Sequence, residues 1–202
     1  ESAIRWCHET VELGVKRIGH AIALGLDPEI ATKRRPQAHT KERVSERLDQ
    51  INYDLNHMQL LSEYNIKINR EKLLKEKQSL QLKDPDEKVQ AAYDENRYSE
   101  LRRRQDLVLD IIKDQGTVIE ICPTSNLRIG GIPKINVHPF KKFYEAGVNI
   151  AICTDDPGIF KTNLKEEVDL IRDAFQMDDD ELEESIGEPY QYRLGQERIN
   201  AG

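Results

Sequence analysis

The sequence predicts an α/β fold built on parallel strands. Three observations carry that expectation. Short apolar runs at 15–20, 117–123 and 148–157 alternate with helical stretches. Two of them, Val118-Ile119-Glu120-Ile121 and Asn149-Ile150-Ala151-Ile152-Cys153, are nearly continuous in apolar character, which suits strands covered on both faces. The order is helix, strand, insertion, strand, helix, strand, helix, which asks for crossover connections between parallel neighbours.

The elements follow in order. Residues 3–13 read as a helix, because Ile4, Cys7, Val11 and Gly14 recur at spacings of three and four, and Gly14 then stops it. Residues 15–20 form a short strand ending in Gly19-His20. Gly116 introduces the next strand and Pro123 ends it. A helix is expected over 138–147, with Pro139 in its first turn and Gly147 as its C-cap. Pro157 stops the third strand. A helix runs from Leu164 toward 175, and a second helical region begins near Asp179.

Between these flanks lies a polar, charge-dense segment, residues 28–100, punctuated by Pro28, Pro36 and Pro85. Val44, Leu48, Ile51, Leu55 and Met58 are spaced 4, 3, 4, 3, a heptad seam over two heptads. A second helix is expected from about Pro85 to Lys113, with Asp84 as its cap and Leu101, Val108, Ile111 and Ile112 on its apolar side. Such a segment serves as a lid, an oligomer contact or a docking arm; the plainer alternative is a helical hairpin packed on its own stripe. Arg102-Arg103-Arg104 is read as a solvated helix face. The expected organisation is therefore a barrel-type segment at 1–27, the insertion at 28–100, a second such segment at 101–175 and a C-terminal helical region or tail at 176–202.

Composition narrows the class. Lys and Arg total 30 against 37 Asp and Glu, a net charge of -7, which argues against nucleic acid as the partner. No apolar run approaches the roughly 18 residues of a membrane span. The 3 cysteines cannot all pair within one chain, and Cys122 and Cys153 sit in apolar runs, so a reducing, cytoplasmic setting is expected. The chain opens on Glu1, directly inside a helical stretch, which reads as a piece of a longer protein.

In parallel α/β sheets the chemistry gathers at the C-terminal strand ends. Here those ends carry His20, then Cys122-Pro123-Thr124-Ser125-Asn126, then Thr154-Asp155-Asp156-Pro157. Adjacent carboxylates repel, and a divalent cation held by one of them relieves this. A histidine on the same rim titrates near neutrality and can handle the proton of an attacking water. The three ends together point to metal-assisted hydrolysis. The other histidines have ordinary assignments: His8, His39 and His57 on the surface, and His138 starting a helix or positioning the neighbouring loop. Ser125 and Asn126 form either a turn behind the site or a turn with no further role.

The stretches RIGHAIAL at 17–24, IEICPTSNLRIGG at 119–131 and HPFKKFYEAGVNIAICTDDPGIFKTNLKEEVDLI at 138–171 resemble the adenosine/AMP deaminase family of metal-dependent amidohydrolases. The resemblance covers about 1–26 and 116–175, and it rests on RIGH, CPTSN and TDDP occurring in that order. It implies the C-terminal part of a (β/α)8 barrel with a long helical insertion after the RIGH strand, which would be the sixth; CPTSN would follow the seventh and TDDP would close the eighth. Outside 28–100 the chain is roughly half as long as the ~250 residues a whole barrel uses.

The same resemblance implies one catalytic Zn2+. His20 matches the histidine that orients and deprotonates the attacking water, Asp155 the aspartate that binds zinc and holds the hydroxide, and Asp156 the aspartate that bonds the purine ring. The implied substrate is adenosine or a related adenine nucleoside, with AMP or another adenine nucleotide as the alternative and a silent scaffold assembled through the insertion as a third. Two family motifs are absent: a His-x-His zinc pair and the His-Ala-Gly-Glu that supplies a further zinc histidine and a catalytic glutamate. The expected partner is therefore the N-terminal half of the barrel, in the same chain or a separate one. Relatives carry glycine where this chain has Ala21.

Overall fold

The computed structural model describes residues 1–34 and 41–186. His39 and residues 187–202 of the expected C-terminal region lie outside the described residues. Among those described, five strands are present: β1 Arg17–Gly19, β2 Lys41–Arg43, β3 Lys88–Gln90, β4 Val118–Ile121 and β5 Asn149–Ile152. They form a three-stranded sheet of order β1-β4-β5 and a two-stranded sheet of β2 and β3. The chain divides into two compact units, Glu1–Glu9 with Asp27–Val108, and Thr10–Leu26 with the described residues from Leu109 onward.

The second unit holds the three-stranded sheet, and all its pairings are parallel: Gly19 pairs with Glu120, and Glu120 with Ala151. The α/β expectation and the order of its strands are as the punctuation implied. Ile119, Ile121 and Ile150 are fully buried. Arg17 laces the strands, donating from Nε to Glu120 (2.6 Å) and from Nη2 to Cys153 Sγ (3.4 Å). Helices Phe140–Ala146 and Leu164–Phe175 occupy the expected stretches; Gly147 adopts φ 68 as the left-handed C-cap of the first. Asp179–Ile186 forms the last helix.

In the first unit, helix Val44–Asn56 uses the seam to pack intramolecularly. Val44 and Ile51 bury against Leu73 and Leu80 of helix Arg70–Leu80, with Leu48, Leu55, Ile68 and Val89 around them. Asn69 caps the second helix by accepting from Lys72 N (3.0 Å). The stripe thus closes on itself as a helical hairpin, and the seam breaks at His57, where a new helix Met58–Glu63 begins.

Four expectations about side chains and boundaries differ from the structure. The long helix begins at Glu95, not near Pro85, because residues 88–90 pair antiparallel with 41–43 and Asp94, rather than Asp84, accepts from Arg97 N (2.8 Å). Arg104 is not on a solvated face: it is 4 % exposed and forks onto Asp54 at 2.7 and 3.0 Å, with Glu100 at 2.8 Å. His8 is buried, its Nδ1 2.7 Å from the Tyr53 hydroxyl. His57 is half-buried, with Nδ1 2.9 Å from the Tyr53 carbonyl.

No described helix is long and apolar enough to cross a membrane. Because Asp54 is itself buried, Arg104→Met strands a carboxylate away from water. The variant is expected to lose about 3–5 kcal/mol, measured as a lower urea midpoint.

Candidate functional site

Parallel pairing delivers three segments to one edge of the sheet. His20 N donates to Glu120 O (2.6 Å), and Cys153 N to Ile121 O (2.8 Å), so the ladder runs one step past the strands on both sides. The chain then turns sharply at two of the three ends. His20 adopts φ 61, Ala21 φ 45 and Asp155 φ 59, left-handed conformations that cost a non-glycine residue roughly 1–2 kcal/mol each. Strain of this kind concentrates at functional sites, where surrounding bonds fix it.

The turns bring His20 Nε2 to 3.9 Å from Asp155 Oδ2. Both side chains stay partly open, 43% and 34% exposed, so a ligand can reach them. Their supports are buried. Ser125 donates to Asp155 Oδ2 at 2.6 Å. The Asn126 side-chain amide lies 2.8 Å from His20 Nδ1 at its oxygen position and 3.0 Å from His138 Nε2 at its nitrogen position. Phe140 N donates to His138 Nδ1 (3.0 Å), so His138 also caps the helix it precedes. Gly130 permits this packing: a Cβ there would meet Asn126 O at 2.7 Å and Ile22 at 2.6 Å.

Cys122 completes a donor group. One ligand atom each from His20, Cys122 and Asp155 lies within 4.8 Å of the others, a nitrogen, sulfur and oxygen set of the kind zinc accepts. Burial first, then Cys153, Glu120 and Asp155, push the Cys122 thiol up to about 12, so it stands here as a neutral thiol. Asp156 is turned to other work: its Oδ1 accepts from Ile159 N (3.1 Å) and caps the short helix Pro157–Phe160.

The structure therefore gathers His20 and Asp155, the residues expected from the strand ends, with Asp156 beside them. Ser125 and Asn126 prove to be the turn that holds both. One supporting residue escaped the sequence reading. Glu167 is fully buried and its Oε2 accepts from Thr124 N (2.8 Å), fixing the loop that carries Ser125 and Asn126. A signal existed: Glu167 lies four residues before buried Ile171, on the apolar face of its helix.

Burial holds His138 down at about 4, against an ordinary 6.5. A neutral buried histidine takes up its proton only on unfolding, so the unfolded chain binds more protons between these values. Stability is then fully present above about pH 6.5 and is lost as pH falls toward 4. The contribution is on the order of 3 kcal/mol. His138→Gln is expected to flatten the difference in denaturation midpoint between pH 7 and pH 4.5 relative to wild type. Ala21→Gly relieves a left-handed alanine and is expected to stabilise by up to about 1 kcal/mol, after the extra freedom of unfolded glycine is deducted, as read by thermal denaturation.

Residues 86–187 match the family model described as adenosine deaminase. An adenine deaminase of Rhizobium rhizogenes is 43% identical over 76 residues, 36% of this chain and 24% of that protein. An adenosine deaminase of Plasmodium gallinaceum is 38% identical over 60 residues, 30% of this chain and 17% of that protein. An adenine deaminase of Rhizobium meliloti is 36% identical over 77 residues, 37% of this chain and 24% of that protein. The matched part of the chain spans about a quarter or less of the length of these curated relatives.

Proposed function

The chain belongs to the adenosine deaminase family, and from that premise we propose that it is the C-terminal part of a (β/α)8 zinc hydrolase that deaminates a 6-aminopurine. The observation that carries the reading is the approach of His20 and Asp155 to 3.9 Å across the ends of β1 and β5, each locked in a left-handed turn. In the proposed reaction water adds to C6 of the purine, the C6–N bond breaks, and ammonia leaves with the second proton of that water. The substrate is free adenine, adenosine or an adenine nucleotide. The relatives include both adenine and adenosine deaminases, which leaves the three open at this point.

Asp155 would hold the zinc ion, with Cys122 and His20 at its margin. Bound zinc supplies a water acidified to near neutrality. The chain's own residues do the rest. Ser125 anchors Asp155 Oδ2 and leaves Oδ1 for a cation. His20 stands across the gap to orient the water. Asp156, its Oδ1 committed to the cap, offers its remaining oxygen to a ring nitrogen of the purine. Three protein ligands and an open position are the usual catalytic arrangement. If His20 is needed for the water, Asp155 and Cys122 do not suffice, so the missing ligands come from an N-terminal half. The site is thus completed by that half. Cys7, Cys122 and Cys153 are free thiols.

The heptad seam is spent on Leu73 and Leu80 inside its own unit, which gives the scaffold alternative no exposed stripe there. Ammonia release from adenine, adenosine and AMP is the test. The 202-residue chain alone is expected to give none. Joined to an N-terminal half carrying the absent motifs, it is expected to turn over one of them, and Asp155→Ala to lower that rate by at least about a thousandfold, the scale of removing a principal electrostatic group. Robust turnover by the chain alone, or an unaffected Asp155→Ala, would sink the proposal.

A further inference from the structure

The buried pair behind the site decides which nitrogen of His20 carries its proton. The chain of bonds starts at His138. Its Nδ1 accepts from Phe140 N at 3.0 Å, so that nitrogen holds a lone pair. A neutral imidazole has one donor and one acceptor nitrogen, which puts the proton of His138 on Nε2. His138 is 3% exposed, a place where a neutral ring is favoured over a charged one. Nε2–H faces the Asn126 side chain at 3.0 Å and must meet an acceptor there.

That acceptor is the amide oxygen. The oxygen and nitrogen of an Asn side chain are isosteric and exchange by a half-turn, and the hydrogen-bond network selects the orientation. With the nitrogen toward His138, two donors would meet. The turned amide satisfies every group: His138 Nε2–H donates to Asn126 Oδ1, and Asn126 Nδ2–H donates to the His20 nitrogen 2.8 Å away. Asn126 is 1% exposed, so water does not replace a mismatched bond cheaply. His20 Nδ1 is then an acceptor, and its proton sits on Nε2, the atom that faces Asp155.

We propose that His138 and Asn126 are positioning residues that fix His20 as the Nε2–H tautomer through the chain Phe140 N–H, His138, Asn126, His20. The consequence reaches the chemistry and rests on the function proposed above. A nitrogen bearing a proton neither ligates a metal nor accepts a proton from water. His20 thus enters as a hydrogen-bond donor across the 3.9 Å gap, toward the carboxylate of Asp155. The resemblance-based role of His20 as the group that deprotonates the water is replaced by one of orientation and charge stabilisation.

The test is the tautomer itself. The 15N-labelled, metal-free chain is examined at about pH 8, above the ordinary histidine range, by multiple-bond 1H–15N correlation, with His20 assigned by the loss of its signals in His20→Gln. One dominant form is expected, with a lone-pair shift at Nδ1 and a protonated shift at Nε2. Asn126→Asp replaces the donor by a carboxylate that only accepts, and is expected to move the proton to Nδ1. Wild-type His20 protonated at Nδ1, an even mixture of the two forms, or an unchanged Nε2–H form in Asn126→Asp would each overturn the proposal. The measurement uses neither zinc nor purine. An enzyme with another substrate would give the same spectrum, and a wrong tautomer would leave the ammonia assay untouched.

Discussion

Everything at the rim depends on the parallel register of β1, β4 and β5. His20 and Asp155 are far apart in sequence and share no local element. They meet because Gly19 pairs with Glu120, Glu120 pairs with Ala151, and one further backbone bond on each side carries the ladder to His20 and Cys153. A slip of one residue would turn every side chain of a strand to its opposite face. Arg17 guards against such a slip. It ties β1 to Glu120 on the central strand and to Cys153 just past the third, bonds that a slip would have to break.

Above that sheet the molecule exchanges backbone comfort for fixed geometry. Left-handed turns at His20 and Asp155 cost roughly 1–2 kcal/mol each. The bonds that hold them are few but buried: Ser125 to Asp155, Asn126 to His20, His138 to Asn126. A net hydrogen bond is worth only about 0.5–1.5 kcal/mol, but leaving a buried partner unpaired costs more. The network therefore resists piecemeal relaxation. Moving His20 would orphan Asn126, and moving Asn126 would orphan His138.

Sequence exposes the parts of this arrangement that are local. The apolar runs, the glycines before them and the prolines after them set the strands; His20, Asp155 and Asp156 stand at strand ends and could be picked out as candidates. What stayed hidden needs a partner far along the chain. His8 looks like a surface residue until Tyr53 covers it, and Arg104 looks solvated until Asp54 is found fifty positions away. Val89 sits in a charged stretch that only becomes a strand because residues 41–43 pair with it. Asn126 and His138 each read as ordinary turn or cap residues. Their connection to His20 depends on packing that leaves room for no side chain at Gly130.

The adjacent carboxylates show how a sound sequence argument changes once atoms are placed. Two neighbouring negative charges asked for a divalent cation held by one of them. The backbone sends them to different tasks. The Asp156 carboxylate is pinned by Ile159 N at the head of a short helix, where a negative charge is favoured. The Asp155 carboxylate turns through its left-handed residue toward His20 and is steadied by the Ser125 hydroxyl. Part of the repulsion is thus met by neutral donors before any ion arrives. Asp155, not Asp156, is the carboxylate with a sulfur and an imidazole beside it. The two carboxylates thus divide into one that faces His20 and one that caps a helix, and the side chains of His20 and Asp155 both stay partly open to water.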